Sequence, residues 1–231
     1  MHAARIDHLV IAARTLEEGA RWCEATLGVA PGPGGTHPLM GTHNRLLSIA
    51  SDEFAQAYLE IIAIDPARRP LREPGRQRWF DLDDAMLQDG LARHGPRLIH
   101  FVARVGDAQA ALHALATGPV PIDRGALIEA SRDSVAGRLD WKISVRDDGQ
   151  RLFYGALPTV IEWGSVHPAD TMPPSGVTLS ALRAAHPRPE VLQAAHAALE
   201  LAQVQVLPGA PNLMAELHTP RGPITLESKG I

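Results

Sequence analysis

The sequence holds a single cysteine, Cys23, which excludes an internal disulfide and any site built from several thiolates. Aromatic residues are also scarce: four phenylalanines, four tryptophans and two tyrosines stand against eleven histidines. No apolar run approaches the roughly 20 residues that span a bilayer, so no membrane segment is expected. There is no basic excess either. With a net charge of −4, the chain lacks the positive surface that a nucleic-acid backbone requires. Asp7 and His8 fall where an export signal would have its apolar core, which points to a cytoplasmic protein. What is present is ordinary for a globular chain: 45% hydrophobic and 21% charged residues over 231 positions. That length suffices for one large domain or two small modules sharing a core. Any bound metal would take nitrogen and oxygen donors.

Residues 5–12 are short, apolar and partly β-branched, the pattern of a buried strand. Thr15 with Glu18 reads as a capping box, Leu16, Gly19, Ala20, Cys23 and Leu27 fall at helical spacing, and Gly28 supplies the stop. Strands are expected over 43–50 and 57–64. Residues 65–96 break the pattern with arginines, prolines and an Asp81-Leu82-Asp83-Asp84 run, a connector crossing the surface with a helix capped by Asp81 or Asp83. The order then restarts. Residues 97–103 repeat the form of 6–12, Asp107 caps a helix over 108–117 that Gly118 ends, and strands are expected over 126–130, 139–145 and 152–163. The remaining 168–231 offers a strand, a helix and two further strands. The chain thus divides into a first module (1–64), a connector (65–96), a second module (97–167) and an appended C-terminal half-module, a partial third pass (168–231).

The repeat sets four polar residues in matching places. His8 and His100 lie within the opening strands, and Glu60 and Glu162 within the closing ones, each glutamate flanked by apolar residues. A lone carboxylate in such a strand is costly to bury unless a cation or donors offset it. Alternate residues of a strand share a face, so all four are expected to point into the space the sheets enclose. Two imidazoles and two carboxylates form a plausible shell for a divalent ion such as Zn, Mn, Fe or Ni. Taken singly, each also reads as a hydrogen-bonded core residue. His43, Asn44 and Arg45 follow a Gly-Thr turn at a strand start, a rim position suited to substrate contact. Trp79 and Phe80 either line a pocket or anchor the connector. His37 and His167 precede prolines and read as loop residues, while His94, His113, His186 and His196 read as solvated. Cys23 reads as inert packing.

The opening strand and helix, the Gly41-Thr42-His43-Asn44-Arg45-Leu46-Leu47-Ser48 stretch, the Tyr58-Leu59-Glu60 strand and the restart at Ile99-His100-Phe101-Val102 resemble a glyoxalase-like domain protein of the vicinal oxygen chelate superfamily. The resemblance covers residues 5–165. It implies an α+β fold in which two tandem βαβββ modules form a cup-shaped mixed sheet. It also implies metal ligands from the first and last strands of each module, matching His8, Glu60, His100 and Glu162. The function so implied is a metal-dependent lyase, isomerase or dioxygenase acting on a small substrate that chelates the ion through adjacent oxygens, with Glu162 as the proton-transferring base. The alternative is a metal-free protein that binds or sequesters a small molecule in the same cup. Beyond that small molecule no partner is expected, and the chain would act as a monomer or a homodimer.

Overall fold

Local signals set the first helix in the computed structural model, which describes residues 3–134 and 137–230. The Thr15 side chain accepts from the Glu18 amide, α1 runs Leu16–Leu27, and Gly28 closes it at φ 78°, a left-handed conformation that glycine adopts without a Cβ clash. Strand β1 (Arg5–Ala12) precedes α1, and β2 (Thr36–His37), β3 (Thr42–Ser48) and β4 (Tyr58–Ile64) follow it. After α2 (Ala85–His94) the order repeats as β5 (Arg97–Arg104), α3 (Ala108–Thr117), β6 (Ala126–Ser134), β7 (Gly137–Val145) and β8 (Thr159–Trp163). Asp107 caps α3 by accepting from the Ala110 amide. The stretch expected to be one strand over 152–163 is divided. Residues Leu152–Gly155 form a turn, with Phe153 and Tyr154 at φ 53° and 55°, before β8 begins.

The eight strands make one mixed sheet in the order β2-β3-β4-β1-β5-β8-β7-β6. At its centre β1 and β5 run antiparallel, with His8 opposite Val102 and Val10 opposite His100, a reciprocal register that relates the two modules by a pseudo-twofold. The register skips Asp7 in β1 and Ile99 in β5, so matched irregularities precede the two histidines. One face of the sheet buries Leu9, Ile11, Leu59, Ile61, Phe101 and Val160 against the helices. The other, concave face buries Val10, Ile62, Val102, Trp141 and Ile161.

The connector runs over the surface along residues 66–78, as its charge pattern suggested, and then turns into the cup. Trp79, Phe80 and Leu82 pack with Leu87 and Leu91 of α2 into the concave-face cluster, which covers the apolar side chains of that face. The cap of α2 is Asp84, which accepts from the Leu87 amide at 2.8 Å. Asp81 and Asp83 bind Arg151 and Arg78 instead. Residues 178–227 form β9 (Thr178–His186), α4 (Pro189–Ala198), β10 (Val204–Pro208), β11 (Asn212–Thr219) and β12 (Gly222–Glu227), in the order β10-β9-β11-β12. In both modules the first strand pairs in parallel with the last, whereas here β9 pairs in parallel with β10, the strand directly after its helix. Leu182, Leu192 and Leu213 of this unit join the helical-face core. It also buries His186 and His196, expected in solvent; His196 Nε2 donates to the Ala156 carbonyl at 2.9 Å, and burial lowers its pKa to about 4. None of the described helices is long and apolar enough to cross a membrane.

Candidate functional site

Two buried ionisable groups meet on the concave face. His8 from β1 and Glu60 from β4 are 4% and 5% exposed, and His8 Nε2 lies 3.5 Å from Glu60 Oε2. Both are held from behind. His8 Nδ1 lies 2.6 Å from Asp7 Oδ1 and donates to it, since a carboxylate only accepts. That leaves Nε2 facing Glu60. Asp7 also accepts from Trp163 Nε1 at 3.0 Å and from His167 Nε2 at 2.9 Å. The His167 tautomer is fixed, because its Nδ1 accepts from the Ala169 amide. Burial alone would raise the Asp7 pKa, but the hydrogen bonds from His167 and His8, with their charges, hold it well below the ordinary carboxylate range. Asp7 is therefore ionised at any working pH.

Glu60 Oε1 accepts from Asn44 Nδ2 at 2.6 Å. Asn44 is oriented in turn by the Gly35 amide, which donates to its Oδ1 at 2.7 Å. The backbone there passes so close that a Cβ on Gly34 would overlap the Asn44 carbonyl, so glycine is required. His37, at hydrogen-bond reach of Thr42 and Asn44, is kept neutral: burial first, then the charge of Arg132, lowers its pKa to about 3. Tyr58 stacks on the His8 ring at a centroid distance of 4.6 Å. Burial and the Asp7 and Glu60 carboxylates push its hydroxyl well above the ordinary range. These groups line a cavity of about 30 Å³, closed by Trp79, Phe80, Trp141, Trp163 and Arg132. The Trp79 indole N–H is buried without an acceptor.

The second half of the expected set lies elsewhere. His100 is fully buried, with Nδ1 on the Gly155 carbonyl at 2.9 Å and Nε2 accepting from the Thr159 amide at 3.1 Å. The buried Arg124 guanidinium lies 3.3 Å from the same Nε2. Burial and that charge keep His100 well below the ordinary imidazole range. The Phe80 ring sits 5.3 Å from His100. Glu162 does not join the cluster at all. Its neighbours in sequence, Ile161 and Trp163, belong to the concave face, so alternation turns Glu162 to the helical face. There it accepts from the Ala108 amide at the start of α3 (2.8 Å) and from Lys142 (3.1 Å). The position that answers to Glu60 is Thr159: Val10 pairs with Glu60, and Val102 with Thr159. His43 and Arg45 alternate away from Asn44, toward Glu17 of α1. Of the residues expected to bind metal or substrate, the structure thus brings together His8, Glu60 and Asn44, with Trp79 and Phe80 closing the cavity over them.

A divalent ion fits one half of this arrangement. A His8 nitrogen and a Glu60 oxygen 3.5 Å apart span about one edge of a shell with bonds of roughly 2.0–2.2 Å. Asp7 supports His8 as carboxylates commonly support a metal-bound imidazole. The other half does not fit, because His100 is committed to Gly155 and Thr159 beside a fixed guanidinium that repels a cation. Among the described residues no three His, Cys, Asp or Glu side chains converge as metal ligands. The four-ligand centre of His8, Glu60, His100 and Glu162 does not form.

Asp7, His37, Tyr58, Arg132, Trp163 and His167 were not assigned to the site from sequence. Asp7 carried a signal, as a charged residue inside an apolar strand beside a histidine. His167 carried none, because it reaches Asp7 from 160 positions away.

Comparison with known proteins is consistent with this architecture. A family profile described as a glyoxalase-like domain matches residues 6–200. No curated protein matches the sequence. A hypothetical protein from Staphylococcus aureus shares the fold at a TM-score of 0.53 and 12% identity, over 97% of this chain and 85% of that one. Methylmalonyl-CoA epimerase from Mycobacterium tuberculosis gives 0.39 and 17%, over 69% and 86%. A hypothetical protein from Bacillus halodurans gives 0.41 and 9%, over 73% and 99%.

Proposed function

The chain belongs to the glyoxalase-like domain family of the vicinal oxygen chelate superfamily, and we propose that it is a proton-transfer enzyme of the isomerase or lyase type acting on a small carbonyl compound. The observation that carries this reading is the pair His8 and Glu60, set 3.5 Å apart at the cavity with Asp7 behind the imidazole. A base oriented by a third group, within reach of a second titratable group, is the arrangement that proton abstraction and return require. One member removes a proton from the carbon next to the carbonyl, its electron pair passes to the carbonyl oxygen, and the other returns a proton. The unpartnered indole N–H of Trp79 and the Arg132 guanidinium at the same cavity supply donors for the oxygen as its charge grows. Hydrogen–deuterium exchange of C–H groups in 2-oxobutanoate and hydroxyacetone, followed by proton NMR in D₂O, tests it. Wild-type protein should accelerate exchange, and Glu60→Gln or His8→Asn should cut the rate about 10²- to 10⁴-fold. Exchange that both variants leave intact overturns the assignment.

A second reading keeps a divalent ion, Zn, Mn, Fe or Ni, on His8 and Glu60 alone, with substrate oxygens completing its shell; the Asp7–His8 contact favours it. Elemental analysis of protein grown in metal-replete medium separates the two. Stoichiometric metal lost in Glu60→Gln supports the ion, and full exchange activity in metal-stripped protein supports the acid–base pair.

A further inference from the structure

The cavity at His8 and Glu60, about 30 Å³, has room for only a few atoms. It is not isolated. Leu46, Arg132 and Pro168 line both this cavity and a groove of about 680 Å³, within the range of small-molecule sites. The groove is walled mainly by Val29, Leu47, Leu139, Met172 and Pro173, and carries two charges, Arg132 and Asp133. Asp133 lies across the strand pair from Arg138 and adds to the charge that side chain feels. Arg132 has no such compensation. Among the described residues its guanidinium makes no hydrogen bond or ion pair. Its charge nevertheless reaches the inner groups, adding to the burial that lowers the pKa of His37 and offsetting part of the rise at the Tyr58 hydroxyl. Its guanidinium lies against Gly35, just before β2, in the space a Cβ there would occupy. An uncommitted guanidinium therefore stands where an apolar groove narrows to a reactive pair.

We infer that the substrate is an amphipathic carboxylate, its acid group gripped by Arg132 at the neck between the two spaces and its hydrocarbon part laid along the groove. The carbons next to the acid, held at the same neck, are the part that reaches His8 and Glu60. This substrate class rests on the proton-transfer reading of the same cavity. A guanidinium binds a planar carboxylate through two parallel hydrogen bonds, and no alcohol of equal length offers that match. The groove in turn favours a chain of several methylenes over a short acid, since each buried methylene adds affinity.

Binding of decanoate, decan-1-ol and acetate, measured by calorimetry and by quenching of Trp79, Trp141 and Trp163 fluorescence, tests this. Decanoate should bind about 10- to 100-fold more tightly than decan-1-ol, with acetate weakest. Arg132→Met should erase the preference for the acid over the alcohol, and Arg132→Lys should restore part of it, with melting curves of both variants matching wild type. Equal affinity for decanoate and decan-1-ol, a preference that survives in Arg132→Met, or no binding of either overturns the inference. Exchange measured on 2-oxodecanoate keeps the two claims apart. Decanoate binding as described, without exchange on any ketone, leaves a binding protein for amphipathic acids and overturns only the proton-transfer reading. Exchange on hydroxyacetone with no selectivity for charged chains overturns only the substrate class.

Discussion

The two modules share one plan and differ at two matched positions that decide their chemistry. Both opening strands carry a histidine on the concave face, His8 and His100, related by the reciprocal pairing of β1 with β5. At the irregularity just before it, the first module has Asp7 and the second Ile99. In the parallel neighbour strand, the first has Glu60 and the second Thr159. The first histidine is thereby flanked by two carboxylates. The second is flanked by a hydroxyl and a buried guanidinium, Arg124, and is covered by Phe80. Equivalent placement in a fold does not carry equivalent reactivity. The titratable neighbours do.

This contrast is broken or sharpened by substitutions on either side. The largest effect expected is on exchange chemistry, where His8→Asn removes about 10² or more in rate, while His100→Ala leaves the rate of the folded protein unchanged. The cost of His100→Ala appears in stability instead. It strands the Gly155 carbonyl and Thr159 beside a buried cation and opens a cavity, so urea unfolding should show a loss of about 2–4 kcal/mol. A rate loss in His100→Ala with stability intact would make the second module catalytic after all.

Acid should act next, through the imidazoles held neutral. His37 and His196 titrate at about 3 and 4, and His100 well below its ordinary value, so all three bind protons in the unfolded chain before they do in the fold. The folded values are depressed, so this stability is fully present above pH of about 6.5 and drains away as pH falls below it. The slope is about 1.4 kcal/mol per pH unit for each histidine. Unfolding midpoints at pH 7.5 and 5 check this, and midpoints that do not fall would place a charged imidazole in the core. The smallest effect belongs to Glu162→Gln. It loses a contact at the α3 N-terminus and a half-exposed pair with Lys142, and should cost about 0.5–1 kcal/mol by the same measurement.

The sequence made the repeat legible because its signals are local: Thr15 and Asp107 open the helices, Gly28 closes the first, and apolar runs mark β1 and β5. The histidine pair was legible for the same reason. The glutamate pair was not, because its match depends on register. Position 159 answers to Glu60, and at position 162 a carboxylate faces the helices instead. In the connector the exposed arginine and proline stretch and the anchoring by Trp79 and Phe80 were legible, while the helix cap at Asp84 rather than Asp81 or Asp83 was not, because all three acids stand in one run. Asp7 to His167 and Arg132 to Gly35 are meetings of distant segments, which no local pattern announces.

The two glutamates put the central claim to its most direct test. Exchange rates of Glu60→Gln and Glu162→Gln, measured side by side on the same ketone with folding verified, separate the cavity pair from the carboxylate on the opposite face. The structure predicts a loss of about 10² or more for Glu60→Gln and an unchanged rate for Glu162→Gln. A rate abolished by Glu162→Gln and spared by Glu60→Gln would contradict the account and move the chemistry to the second module.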